Sequence, residues 1–210
     1  MTIRSRPGAA RRACRSHPVA VSAPDLAACL PMRRHELERL GIQLPALATI
    51  ALGGLPGPPD WAQRLVTIGV DVVSSGALHD TPDTVAAAVA AAPYRAVKAT
   101  APTDPAAVAA AGARIFEAAG PVPGGVYRFG PDEAMVVVVD GADPDVEDPN
   151  IAARVVVEVA RAVPPSALWV VASPGLDRLS VARAEQKLTS LYECAYRARL
   201  VFAKEQFTSD

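Results

Sequence analysis

The sequence predicts an α/β fold built from repeated strand–helix units around a mainly parallel sheet. Apolar, β-branched runs are each followed by a turn and a helix start, and half of the residues are hydrophobic. The run Val136–Val139 is continuously apolar, as expected for a parallel strand covered on both faces. The predicted strands are Leu47–Leu52, Val70–Ser74, Ala96–Thr100, Met135–Asp140 and Leu168–Ala172.

Proline after a capping residue marks several helix starts. Thr81-Pro82, Asp104-Pro105 and Asp148-Pro149 share this pattern, which suits proline because the first helical N–H has no partner. We expect one helix over residues 149–163, with an inward stripe that includes Ala152, Val155, Val156 and Val159. The last helix is expected to begin after the cap Ser180 and to end near Phe202.

The number of predicted strands limits the architecture. The segment Val126–Phe129 predicts a short strand that turns back into Met135–Asp140 as a hairpin. Five or six strands are too few for a closed eight-stranded barrel, which typically needs about 250 residues. The pattern therefore favours an open sheet or an incomplete barrel.

Charge divides the chain into two parts. Residues 1–40 form an Arg-rich arm of net charge +5, and residues 41–210 form a single α/β domain with thirteen basic and nineteen acidic residues. We expect the arm to be flexible; a transit peptide and an RNA-contacting tail are the alternatives. The acidic domain makes nucleic-acid binding unlikely.

The cysteines and the hydropathy pattern bear on location. Cys14, Cys29 and Cys194 are odd in number and lack metal-type spacing, which fits a reducing cytoplasm. No apolar run is long enough for a membrane span. We therefore expect a cytoplasmic protein that does not enter a membrane.

The C-terminal third carries a resemblance to a known family. Ser173-Pro174-Gly175-Leu176 follows a predicted strand, and a helix containing Lys187-Leu188 follows it. This order resembles the end of cobalamin-independent methionine synthases, and 69–76, 96–102 and 48–56 are similar to their earlier strand segments. The resemblance implies an incomplete, TIM-barrel-like fold and zinc-dependent methyl transfer to a thiol.

The family's zinc ligands are missing from this chain. Pro174 stands where the family has the cysteine of Asp-Cys-Gly-Leu, Ser75-Gly76-Ala77 replaces Asp-Gly-Glu, and no His-x-Cys pair occurs. A catalytic zinc typically needs about three His, Cys or carboxylate ligands. We therefore expect no metal and no cofactor.

Candidate site residues follow from position, because functional groups of parallel α/β folds collect beyond the carboxyl ends of the strands. His79 and Asp140 are the candidate catalytic residues, with His79 as general base; the alternative is a surface or helix-capping histidine. Lys98 is a candidate nucleophile or anion ligand, unless it pairs with an acid. The candidate substrate-binding residues are Ser75, Lys98, Thr100 and Ser173.

The acidic loop from Asp140 to Asp148 has two readings. Its carboxylates could hold Mg²⁺ or Ca²⁺, or it could be a solvated loop whose Asp148 caps the next helix. The EF-hand pattern is absent.

Three functions remain open at this point. The chain could be a non-catalytic subunit or ligand-binding scaffold, since an incomplete barrel leaves strand edges that invite a partner protein or a second copy. It could be a methyl- or alkyl-transferase-like enzyme acting on a thiol or folate-type small molecule. It could also be a metal-independent enzyme that uses His79 and Asp140.

Overall fold

The computed structural model describes residues 34–57, 60–117, 125–128 and 133–207. Seven strands form one curled sheet, an open half-barrel, in the order β4-β3-β2-β1-β7-β6-β5. All neighbouring pairs are parallel except β5 and β6, which are antiparallel. The strands are β1 Ala48–Ala51, β2 Val72–Val73, β3 Ala96–Thr100, β4 Ile115–Glu117, β5 Gly125–Arg128, β6 Ala134–Val139 and β7 Leu168–Ala172.

Six α-helices accompany this sheet in the described part of the chain. They are α1 Arg34–Arg39, α2 Trp61–Ile68, α3 Pro82–Ala91, α4 Pro105–Ala110, α5 Pro149–Ala160 and α6 Val181–Phe207. The caps work as predicted: Thr81 accepts from Thr84 N, Asp104 accepts from Ala107 N and Asp148 accepts from Asn150 N. None of the helices in these ranges is long and apolar enough to cross a membrane.

The winding of the chain places the helices on one face. The steps from β1 to β4 and from β6 to β7 all run in the same direction along the sheet. Because parallel crossovers are right-handed in about 98% of cases, such steps deposit their helices on the same side. Buried residues of α2 through α6 accordingly share one core with that face of the strands.

The opposite face of the sheet has a separate apolar core. It consists mainly of strand side chains, among them Ile50, Met135 and Trp169, and α1 contributes Leu37. Leu37 is fully buried, and Ile42 and Leu44 pack against the same cluster. Leu37 of α1, in the segment expected to be a flexible arm, therefore packs against the sheet; residues 1–33 lie outside the described residues.

The short connection between the two edge strands is consistent with a curled sheet. β4 and β5 lie at opposite edges of the sheet, yet only residues 118–124 separate them in sequence. Eight extended peptide steps span at most about 28 Å, and six strand spacings in a flat sheet come to about 29 Å. Curling brings the edges closer, so the connection need not be fully extended.

The burial of α5 corrects one prediction. Val155 was expected on the inward stripe, but it is 45% exposed, while Ala153 and Val157 are buried. The buried side of α5 is therefore turned towards α6, its most extensively contacted helix. The sequence shows which side of the helix is apolar, but it does not show whether that side packs against a neighbouring helix or faces solvent.

A buried carboxylate ties the amino ends of the first two strands to α6. Asp71 Oδ2 accepts hydrogen bonds from the backbone N and the Oγ1 of Thr49, both at 2.8 Å, and from Arg199 Nη2 at 2.7 Å. Arg199 also donates to the carbonyl oxygens of Ala46 and Leu47. One carboxylate thus satisfies donors from two other elements.

Asp71→Asn should lower the free energy of unfolding by about 2–4 kcal/mol, because it leaves buried donors and a guanidinium without their charged acceptor. Urea unfolding followed by circular dichroism measures this loss. Asp83→Asn, at an exposed position in α3, is the matched control and should cost less than about 1 kcal/mol. Equal losses in the two variants would contradict the anchoring role.

Cys194 should be unreactive in the folded domain. Burial against the core raises the pKa of its thiol to about 12, which leaves a thiolate fraction of about 10⁻⁴ at pH 8. In a Cys14→Ser/Cys29→Ser variant, we expect modification by a thiol reagent at pH 8 to be at least about 100-fold slower than after unfolding in urea. If the folded variant were labelled as fast as the unfolded one, Cys194 would not be protected by burial in the core.

Candidate functional site

Polar side chains gather at the carboxyl edge of the sheet in two groups, and most of them are buried, although Glu147 is half-buried and Asp140 is exposed. The β3–β4 cluster comprises Lys98, Thr100, Glu117 and the backbone of Gly53; the β6–β7 cluster comprises Asp140, Glu147, Ser173 and Lys187. Since the ends of β2 and β1 lie between them, the clusters flank the centre of this edge.

Lys98 forms a buried ion pair with Glu117. Their side chains are 1% and 2% exposed, and Lys98 Nζ lies 2.5 Å from Glu117 Oε2. Lys98 also donates to Gly53 O at 3.1 Å, while Gly53 N donates to Glu117 Oε1 at 2.7 Å. The prediction left Lys98 as either a reactive group or a paired one; the structure places it in a pair that clamps the end of β1.

Asp80 connects the loop after β2 to the end of β3. Its carboxylate accepts from Ser75 Oγ at 2.5 Å, from Thr84 Oγ1 at 2.9 Å and from Thr100 N at 2.7 Å. Ser75 and Thr100, both predicted to bind substrate, are therefore brought together by Asp80. Their polar atoms hold the loop in place.

The β6–β7 cluster has a similar design. Lys187 is fully buried on α6 and donates to Asp140 O at 2.9 Å and to Glu147 Oε1 at 2.8 Å. Ser173 Oγ accepts from Gly141 N at 2.9 Å and lies 3.3 Å from Asp140 Oδ1. Two predicted site residues, Asp140 and Ser173, thus meet here and shape the turn after β6.

Close backbone packing fills the space between the clusters. A Cβ built on Gly53, which has φ +75°, would lie 3.0 Å from Pro174 Cβ. A Cβ on Gly141 would lie 2.2 Å from Ser173 O, and one on Gly175 would lie 2.8 Å from Ala142 N. The loops after β1, β6 and β7 therefore touch through positions where only glycine fits.

The residues at this edge do not fit a catalytic zinc. Pro174, in the position that the resemblance assigns to a cysteine ligand, packs its ring against Gly53 and offers no lone pair. Across the described ranges, no three His, Cys, Asp or Glu side chains come together as metal ligands. In the acidic loop, three carboxylates instead accept hydrogen bonds from nearby backbone groups. These bonds run from Ala142 N to Asp140, from Asp145 N to Asp143 and from Asn150 N to Asp148.

The two predicted catalytic residues are far apart. His79 is exposed and its Nδ1 lies 3.4 Å from Ala101 O, beyond the end of β3. Asp140 follows β6, and three strand spacings of about 4.8 Å separate β2 from β6, or about 14 Å in total. The structure therefore does not bring His79 and Asp140 together.

Sequence reasoning missed Glu117 and Lys187 as site residues, and it considered Glu147 only as a carboxylate of the acidic loop. Glu117 ends β4, a three-residue strand that was not predicted, so Lys98 had no visible partner. Lys187 carried a usable signal: it is three residues after Ala184 and one before Leu188, on the inward stripe of α6. A charged residue on such a stripe indicates a buried ion pair.

No protein-family model and no curated protein matches this sequence.

The Lys98–Glu117 pair should behave as one structural unit. Lys98→Met and Glu117→Gln should each cost about 3–5 kcal/mol of unfolding free energy, since each leaves the other group buried without its partner. The double variant should cost at least about 2 kcal/mol less than the sum of the two.

Urea unfolding of the four proteins in this cycle measures the coupling. Arg161→Met is the matched control, because it breaks an exposed ion pair with Glu158 and should cost less than about 1 kcal/mol. Additive losses in the double variant would show that the two groups do not act together.

Proposed function

We propose that this chain is a non-catalytic subunit built on a shortened, methionine-synthase-like barrel. Three features support a barrel ancestry: β1 lies beside β7, the strand steps run in one direction, and the helices α2 to α6 share one face. The segment Ser173–Leu176 also follows β7 and leads into a long helix, as the resemblance requires.

One observation carries the non-catalytic assignment. Most of the described polar groups at the carboxyl edge, where a barrel enzyme would hold its substrate, are already bonded to one another and to the backbone, and Glu147 Oε2 is a buried atom there without a hydrogen-bond partner. Lys98 is bonded to Glu117 and Gly53, Ser75 to Asp80, and Ser173 to the turn after β6. These contacts stabilise the loops and leave the same atoms unsuited to bind and polarise a substrate.

The loss of the zinc ligands supports the same proposal. Methyl transfer to a thiol, as the resemblance implies it, uses zinc to generate a thiolate nucleophile. Pro174, Ser75 and Ala77 stand at positions that would supply ligands, and they provide neither thiolate nor carboxylate. We therefore derive no catalytic step through a metal.

A ligand-binding role is the second candidate, and one cavity favours it. A cleft of about 550 Å³ opens between α2 and α3 beside the loop after β2. Its lining is mostly apolar, with several alanines, and its polar residues are the carboxylates Asp60 and Asp83 together with Gln63, Ser75 and Thr84. A cleft of this size and character suits a small molecule with few polar atoms.

Activity and metal content together test the proposal. The purified full-length chain, assayed with a methyl-folate donor and a thiol acceptor, should show no turnover above the protein-free control, with or without added Zn²⁺. Elemental analysis after dialysis should find far less than one zinc per chain, and His79→Ala should change neither result.

Stoichiometric zinc together with turnover would overturn the non-catalytic assignment and favour the methyl- or alkyl-transferase instead. Turnover without zinc that is lost in His79→Ala would instead favour the metal-independent enzyme.

A further inference from the structure

The cleft between α2 and α3 has the dimensions of a small-molecule site. Its volume of about 550 Å³ lies within the range of about 300–1,000 Å³ that is typical of ligand pockets. Alanines with short side chains line both helical walls and leave the space between the helices open. The α2 wall contains Ala62, and the α3 wall contains Ala87, Ala88 and Ala91. Since both walls are apolar, the polar groups of the cleft decide which class of ligand it takes.

The two hydroxyl groups in the described lining have no proton to give to a ligand. Ser75 Oγ donates to the buried Asp80 at 2.5 Å. Thr84 Oγ1 donates either to Asp80 or to Thr81 O, each at 2.9 Å. Because a hydroxyl carries a single proton, neither side chain can donate a hydrogen bond to an anion or a carbonyl group in the cleft.

The charge around the cleft is negative. Its described lining contains two carboxylates, Asp60 and Asp83, and no lysine, arginine or histidine. Asp60 bonds to Arg64, but that guanidinium also bonds to Glu185, so two carboxylates share one cation. Asp83 is exposed and pairs with no described side chain. The lining therefore attracts a cation and repels an anion.

Two polar side chains on opposite walls are available to a ligand. Asp83 lies in the first turn of α3, and Gln63 of α2 lines the same cleft. Within the described ranges the Gln63 side chain makes no hydrogen bond. The carboxylate and amide oxygens are acceptors, which match an ammonium group because it has three donors and no acceptor.

We propose that this cleft binds a small organic ammonium ion, namely a primary amine with a compact apolar body. The ammonium group bonds to the carboxylate of Asp83 and to the amide oxygen of Gln63, while the apolar body packs on the alanines. This ligand class deepens the ligand-binding role proposed above and rests on it, because the cleft is the same. Neither contact residue belongs to the carboxyl-edge clusters.

Titration of the full-length chain with phenethylamine, followed by amide chemical shifts, tests the ligand class at about pH 7, where the amine is protonated. We expect saturable shifts in α2 and α3 and a dissociation constant of about 1 mM or lower. The neutral phenethyl alcohol and the anionic hydrocinnamate should each bind at least about tenfold more weakly, because the charge-assisted hydrogen bond is lost.

Two pairs of variants locate the contacts. Asp83→Asn should weaken amine binding at least about tenfold and leave the binding of phenethyl alcohol unchanged. Glu158→Gln, which removes an exposed carboxylate on α5, is its matched control and should change neither. Ala87→Leu should weaken both probes at least about fivefold because it fills the cleft, whereas Ala86→Leu makes the same change outside the lining and should not. The amide spectrum of each variant verifies that it is folded.

The possible results separate the ligand class from the role on which it rests. Equal binding of phenethyl alcohol and phenethylamine would keep the ligand-binding role and overturn the ammonium assignment, as would amine binding that is unchanged in Asp83→Asn. No shift in α2 or α3 with any of the three probes would overturn both. The non-catalytic assignment is decided separately, by the turnover assay.

Discussion

The handedness of parallel crossovers is the constraint from which most of this structure follows. A chain that steps in one direction through β1, β2, β3 and β4, and again from β6 to β7, must place its connecting helices on one face. In a closed barrel that one-sided layer has no ends. Here the sheet is open, so the layer ends at α4 and α5, and the other face of the sheet needs its own cover, to which α1 contributes.

Two buried lysines show how the carboxyl edge is held together. Lys98 and Lys187 each bond to a glutamate and to a backbone carbonyl at the end of a strand. The two sites lie on opposite sides of β1 and β7 and use different elements, a strand in one case and α6 in the other. A buried ammonium needs both partners, because its desolvation is costly and one bond would leave its other donors unsatisfied.

Local pattern was sufficient for two fully buried strands and for one hairpin at the edge of the sheet. β3 and β7 have the predicted bounds, and the hairpin of β5 with β6 is confirmed, because continuous apolar runs and turn residues are local signals. β4 was missed because it has three residues and ends in a charge. The pairing of Lys98 could not be derived, since its partner is nineteen residues away on that missed strand.

The sequence predicted where the candidate site residues lie better than it predicted what they do. Ser75, Thr100, Asp140 and Ser173 do lie at the carboxyl edge, as strand order requires. Ser75 bonds to Asp80 five residues away, but the bonds of Thr100, Asp140 and Ser173 join residues 20 to 47 positions apart, which no single-sequence pattern encodes. The exposure of Val155 has the same origin, because it depends on whether another helix lies beside α5.

The contact between Pro174 and Gly53 has an evolutionary consequence. The prolyl ring occupies the space against the first loop, and the neighbouring glycines have allowed three loops to close around it. Replacing this proline by cysteine would leave a gap and supply only one thiol, in surroundings whose other donors are already bonded. Any sequence with this arrangement would need several substitutions together before a metal ion could bind at this edge, because a catalytic zinc needs about three protein ligands.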